Sequence, residues 1–357
     1  IDQNFARQMV DNVVDLYEAV GCELEEDDYE SYGRRDDEDD DDYGKCERPL
    51  LALSGHTHTN EQIRPGEVFE GWNTTLSSGG VWTSGGPAPF PQIVAGAACG
   101  SWWSGDFNAN VVPEAYQRLG APRGFFLLEF DGNTYKDVFK ATGQAAEKQM
   151  SLSMQTPEFN AWYEALLDYA RNANVEDTPP VNINDLPDPK IVLTGEIAET
   201  QLVANVWNGS KESKVYVSFD GSDPIEMMRV QAGDGEDIIE GVEALDPFAL
   251  ARQLQVARYA FRSLSGEPRA QGFELFRGST FGPGDPQPLS EFFLTDQSQH
   301  VWKVPLPEDL EQGMHIAKVV TEDHNGSRFE ESLAFEILDA DERPPKYFRE
   351  ELFEVTP

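Results

Sequence analysis

Histidine, cysteine and basic residues are all scarce in this chain, and each scarcity removes a class of function. Its 27 Lys and Arg face 65 Asp and Glu, a formal net charge of -38. A field of that sign repels nucleic acid and anionic membrane surfaces, so neither is an expected partner, and it favours solubility and cation binding. No apolar run approaches the roughly 20 residues of a membrane span, so no helix is expected to cross a bilayer. Three cysteines, Cys22, Cys46 and Cys99, are too few for a disulfide scaffold. Cys22 and Cys46 flank an acidic stretch and stand where a bridge would clamp its base, and a periplasmic or extracellular location is the expectation. Initiator Met and signal peptide are also missing, which reads as a processed or incompletely represented polypeptide opening in mid-domain. There is no Ser-His-Asp or Cys-His arrangement, no phosphate-cradling glycine loop and no basic aromatic patch.

What is present suffices for substantial cores: 357 residues, 39% hydrophobic and 11% aromatic, a length that predicts about two domains. The chain is organised around residues 50 to 60, LLALSGHTHTN. Leu50 to Leu53, bounded by Pro49 and by Ser54-Gly55, predict a short buried strand ending in Gly-His-x-His. Extended alternation sends His56 and His58 to the same side, so two imidazoles can converge at the carboxyl end of a strand. Imidazole is a common ligand for zinc, iron and manganese, and Gly55 permits a sharp turn. On these residues alone a metal site and an ordinary surface turn fit equally.

Upstream, Phe5, Met9, Val13, Leu16 and Val20 fall at helical spacing before Gly21 and predict an amphipathic helix. Residues 23 to 45 are acidic enough to predict a solvated insertion, ordered, where it is ordered, by the Cys22–Cys46 bridge, a neighbouring subunit or calcium on carboxylate oxygens. Residues 60 to 92 read as long loops carrying Trp72 and Trp82. Trp102 and Trp103 read as packing residues. Residues 124 to 130 and 134 to 140 flank Asp131-Gly132-Asn133, a strong hairpin signal. A helix is expected at about 157 to 172. The four prolines of residues 175 to 190 mark a linker between residues 1 to 174 and a second domain. From 191 to 340, short alternating strands predict a β-sandwich, interrupted by a helix around 247 to 263; residues 341 to 357 are a tail. Gly233 to Asp237, GDGED, reads as a solvated acidic turn. His300, His315 and His324 fall in or beside strands and read as structural. Asn73, Asn208 and Asn325 begin N-glycosylation triplets, which arise often by chance.

The Gly-His-x-His strand, IVAGAACGSWWSG (93 to 105), APRGFFLLEFDGNTYKDVFKATG (121 to 143) and HVWKVPLPEDLEQGMHIAKVVTEDHNG (300 to 326) together resemble the C-terminal half of calcineurin-like metallophosphoesterases that carry an extra C-terminal domain. The resemblance implies an α/β fold, the C-terminal part of a phosphoesterase sandwich, followed by the all-β domain. It also implies a divalent pair of Mn, Fe or Zn, with His56 on one metal and His58 on the other, acting on a phosphoester substrate. The family's other ligands, from Asp-x-His, Gly-Asp-x-x-Asp, Gly-Asn-His-(Asp or Glu) and a further His, precede Gly-His-x-His. Here no histidine precedes His56. Two ligands do not hold a binuclear centre, so the implied partner is the N-terminal half of the phosphoesterase domain or neighbouring subunits covering the same sheet. The alternative is an acidic extracellular assembly subunit that retains a degenerate phosphoesterase fold.

Overall fold

The computed structural model describes residues 51–55, 58–68, 91–98, 116–117, 119–131, 134–172, 186–236, 239–250, 294 and 298–343. The helix expected before Gly21, the acidic insertion with its cysteines and calcium, Leu50, Trp72, Trp82, Cys99, Trp102, Trp103, and all but the start of the 247 to 263 helix lie outside these residues. The described residues are mostly strand, with few helices.

A three-stranded mixed sheet comes first. β1 (Ala52–Ser54) runs parallel to β3 (Gln92–Val94), and β2 (Glu61–Ile63) pairs antiparallel with β3 on its other side. The expected buried strand is a correction. Among the described residues β1 stands at the edge of this sheet with Leu53 55% exposed, whereas Ile63 of β2 and Ile93 and Val94 of β3 are fully buried. An apolar run bounded by turn residues marks a strand, but its burial depends on what pairs and packs beside it.

The hairpin forms as the sequence predicts, with β4 (Gly124–Asp131) against β5 (Thr134–Ala141). Its inner face packs Phe126 on Phe139 and Phe139 on Trp207. Its outer face leaves Phe125 and Leu127 exposed, and Phe130, on the same face as Phe126 but next to the turn, is exposed as well.

The sandwich joins two sheets. One runs β10 (Ile225–Glu226), β9 (Lys214–Phe219), β13 (Gly313–Glu322), β14 (Arg328–Leu338) and β7 (Ile191–Leu193). The other runs β11 (Met228–Arg229), β12 (Val301–Pro305), β8 (Gln201–Val206) and β6 (Met150–Gln155). β13 shows the strict alternation of a one-sided sheet, with His315, Ala317, Val319 and Thr321 inward. Ala317 and Val319 meet Leu202, Ala204, Met150, Leu152 and Trp302 in one apolar core.

β6 and β8 are buried on both faces. Their second face is polar. Ser151 and Asn205 hydrogen-bond Asp246, and Gln155 hydrogen-bonds Asn160 of the helix α1 (Pro157–Asn172). Because β6 belongs to this sheet, residues on both sides of the Pro-rich stretch 175 to 190 share one sheet.

α1 starts as its sequence dictates. Thr156 caps it, its hydroxyl accepting from the Phe159 amide at 3.1 Å, and Pro157 takes the first helical position, where no amide is needed. Phe159, Trp162, Tyr163, Leu166 and Leu167 form its buried stripe against Leu245, Leu250 and Leu294.

Candidate functional site

The loop that carries Gly-His-x-His leaves β1 at Ser54. Gly55 sits close under β3, where an added Cβ would meet the Ala95 carbonyl at 3.3 Å. His56 lies outside the described residues. His58 is half-buried and adopts a left-handed backbone, φ 59°. Extended alternation from β1 therefore does not reach it, since a residue in this region turns the chain. For a non-glycine residue such a conformation costs on the order of 1 kcal/mol or more and persists where the surroundings over-determine it.

The surroundings do so immediately downstream. Thr59, Asn60, Glu61, Gln62 and Ile63 are all buried, although four of the five are polar. Asn60 Nδ2 donates to the Trp207 carbonyl at 2.5 Å. Gln62 Nε2 donates to Asp137 Oδ2 at 2.7 Å and to Asn208 Oδ1 at 2.8 Å. Gln299 Nε2 reaches Glu61 Oε2 at 3.4 Å. Further along, Glu67 is fully buried and pairs with Arg229 Nη1 at 3.0 Å, while Arg64 Nε stands 3.1 Å from Glu212. Val68 forms a parallel bridge with Asp234 of the GDGED turn. That acidic turn is thus more than solvated: it pairs with the sheet segment through its backbone while the Asp234 carboxylate pairs with Lys211 at the surface.

Asp137 is the centre of this junction. It is fully buried on β5, its Oδ1 2.6 Å from His324 Nε2. Asn208 Nδ2 donates to its Oδ2 at 2.8 Å, and Asn325 Nδ2 to its carbonyl and Oδ1 at 3.0 and 3.3 Å. Burial alone would raise its pKa, but the His324 bond and charge, with Asn208 and Asn325, outweigh it and hold the carboxyl below its ordinary range. The residue was not singled out by sequence reasoning. A signal existed: Asp137 shares the inward face of β5 with Phe139, so the strand pattern puts a carboxylate where an apolar residue belongs. Asn208 and Asn325 spend their amides in this junction, so neither is presented as a glycan acceptor in the folded chain.

A second buried chain lies behind it. Asp246 caps the helical turn at 247–250, accepting from the Phe248 amide at 2.9 Å. Burial raises its pKa against the pull of Asn205, Ser151 and backbone donors. Asn205 bridges Asp246, at 2.8 Å, to His300 Nδ1, at 2.6 Å. Gly120, at φ 95°, passes so close that a Cβ would stand 2.6 Å from Asn205 Nδ2. Burial, then the charge of Arg229, push the His300 pKa down to about 3, so its ring is neutral in the native state. His315 lies near the start of β13, Nδ1 2.6 Å from Asp220 and Nε2 2.7 Å from the Glu311 carbonyl. All three sandwich histidines are therefore held in hydrogen bonds.

His58 lies on the loop past the end of β1, the strand that runs parallel to β3. Among the described residues no group of three or more His, Cys, Asp or Glu converges where it could hold an ion.

Residues 93–262 match the family model described as the C terminal of calcineurin-like phosphoesterase. No curated protein matches the chain. The match opens in β3 and takes in the hairpin, α1, β6 to β11 and the Asp246 cap, and so includes Asp137, Asn208 and Asn205 of the two buried clusters. Residues 93–262 are thus similar to the C-terminal region of calcineurin-like phosphoesterases.

Proposed function

We propose that this chain is the C-terminal portion of a two-metal phosphoesterase that hydrolyses phosphate esters, with His56 and His58 each ligating one metal and the remaining ligands supplied from outside the chain. One observation carries the reading. The segment following His58 is buried, and its Asn60 and Gln62 amides donate to Trp207, Asp137 and Asn208 of the region that matches the family's C-terminal model. The α/β character of the first part of the fold, with β1, β2 and β3 as the end of a larger sheet, belongs to the same proposal. A bound divalent pair would polarise the phosphate and supply a hydroxide near neutral pH. The chain's own contribution is to hold the two imidazoles in place. An N-terminal phosphoesterase region is the implied partner, and a location outside the cytoplasm goes with the acidic surface and the few cysteines.

The test is metal analysis together with phosphomonoester and phosphodiester hydrolysis, on the full gene product and on this chain separately. Hydrolysis by the full product alone is expected, and activity from neither would overturn the proposal. A second reading, an acidic assembly subunit with a degenerate phosphoesterase fold, draws on the exposed Leu53 edge and the exposed apolar hairpin face. It predicts an inactive full product with a subunit interface above roughly 1,000 Å².

A further inference from the structure

The left-handed φ of His58 and the buried polar segment behind it are independent observations that point to one device. Relaxing His58 toward an ordinary conformation would swing Thr59 to Gln62. Asn60 and Gln62, two and four residues on, are the residues whose amides are tied to the C-terminal region. Of those ties the strongest ends on a carboxylate, because hydrogen bonds to charged groups outweigh neutral ones. The carboxylate is itself immobilised, since His324, Asn208 and Asn325 come from the β13–β14 turn and the end of β8 and close around it.

We infer that Asp137 and Gln62 are positioning residues for the metal-ligand loop: Asp137, locked by the sandwich domain, holds Gln62, and through it keeps His58 in its strained, ligand-presenting conformation. The inference rests on the phosphoesterase reading for the metal, and on the structure alone for the loop. It gives the C-terminal domain a definite task, that of a second support shell for a histidine it never touches chemically. Groups that hydrogen-bond a metal ligand directly set metal affinity by about 10- to 100-fold, and the lower end of that range is expected for this more remote support.

The experiment compares wild type, Asp137→Asn and Gln62→Met in the full gene product, reading Mn2+ affinity and hydrogen exchange over residues 58 to 63. Gln62→Met keeps the volume and leaves Asp137 its other three donors, so it folds even where Asp137→Asn does not. Both variants are expected to weaken Mn2+ binding by about tenfold or more. They should speed exchange in 58 to 63 while leaving β13 and β14 unchanged, with kcat recovering at saturating Mn2+. Faster exchange with unaltered Mn2+ affinity overturns the positioning role, as does unaltered exchange in both variants. Wild type that binds no Mn2+ overturns the phosphoesterase reading instead. Exchange then decides alone: acceleration upholds the hold of Asp137 and Gln62 on the loop, and no change removes it.

Discussion

Two histidines of the sandwich carry opposite linkages to pH, and their environments say which is which. His300 is buried beside Arg229, its pKa lowered to about 3. Between its unfolded value of 6.5 and about 3 the unfolded chain binds a proton that the native state refuses, so acidification in that window destabilises the fold through this residue. His315 is the reverse. Burial works against its protonation, but Asp220 and the Glu311 carbonyl prevail and raise its pKa, so its contribution is complete below 6.5 and fades as pH rises through the raised value. Asp220, lowered chiefly by that same bond, contributes above 3.8 and loses its share as pH falls through its native value. Urea denaturation of wild type, His300→Gln and His315→Gln from pH 4 to 9 checks both signs. Wild type should lose ground to His300→Gln on acidification, by as much as about 3 kcal/mol. Its advantage over His315→Gln should be largest near pH 6 and shrink toward pH 9; flat differences would show that neither ring is linked as the geometry requires.

At the scale of elements, the three-stranded sheet separates a strand's propensity from its burial. Leu53 and Ile93 are cross-strand partners in the β1–β3 ladder, yet Leu53 is 55% exposed and Ile93 fully buried. Ile93→Ala removes packed methyl groups and leaves a cavity, a loss of about 2–5 kcal/mol. Leu53→Ala strips atoms already half in water and is expected to cost under about 1 kcal/mol. Equal losses in urea denaturation would mean that β1 is covered in solution. The hairpin and α1 were legible for local reasons: Asp131-Gly132-Asn133 between alternating runs, and Thr156-Pro157 before a helical stripe. The burial of β6 and β8 on both faces was not, because their polar alternate residues look solvent-facing until Asp246 and Asn160 are brought against them.

Over the whole molecule the net charge of -38 sets a repulsion that no single ion pair offsets. Salt shortens the reach of exposed charges from about 30 Å at 0.01 M to about 10 Å at 0.1 M, while a buried pair such as Arg229–Glu67 is screened far less. Raising NaCl from 0.01 to 0.5 M is therefore expected to raise the Tm of this chain. A Tm that falls with salt would mean that surface attraction outweighs the repulsion. No helix among the described residues is long and apolar enough to cross a membrane.

The sequence alone determined the features that depend on neighbours along the chain: the hairpin, α1, the alternating sandwich strands, the surplus of acid and the family likeness carried by short motifs. Hydrogen-bonded turns and hydrophobic periods act over a few residues, so they are readable without a fold. Only the tertiary structure decided that Leu53 is exposed, that His58 is left-handed, and that a buried carboxylate stands behind it. Asp137 gathers Gln62 from 75 residues away and His324 from 187 residues away. The energy of such a node comes from removing water around all its members at once, and no member carries that information by itself.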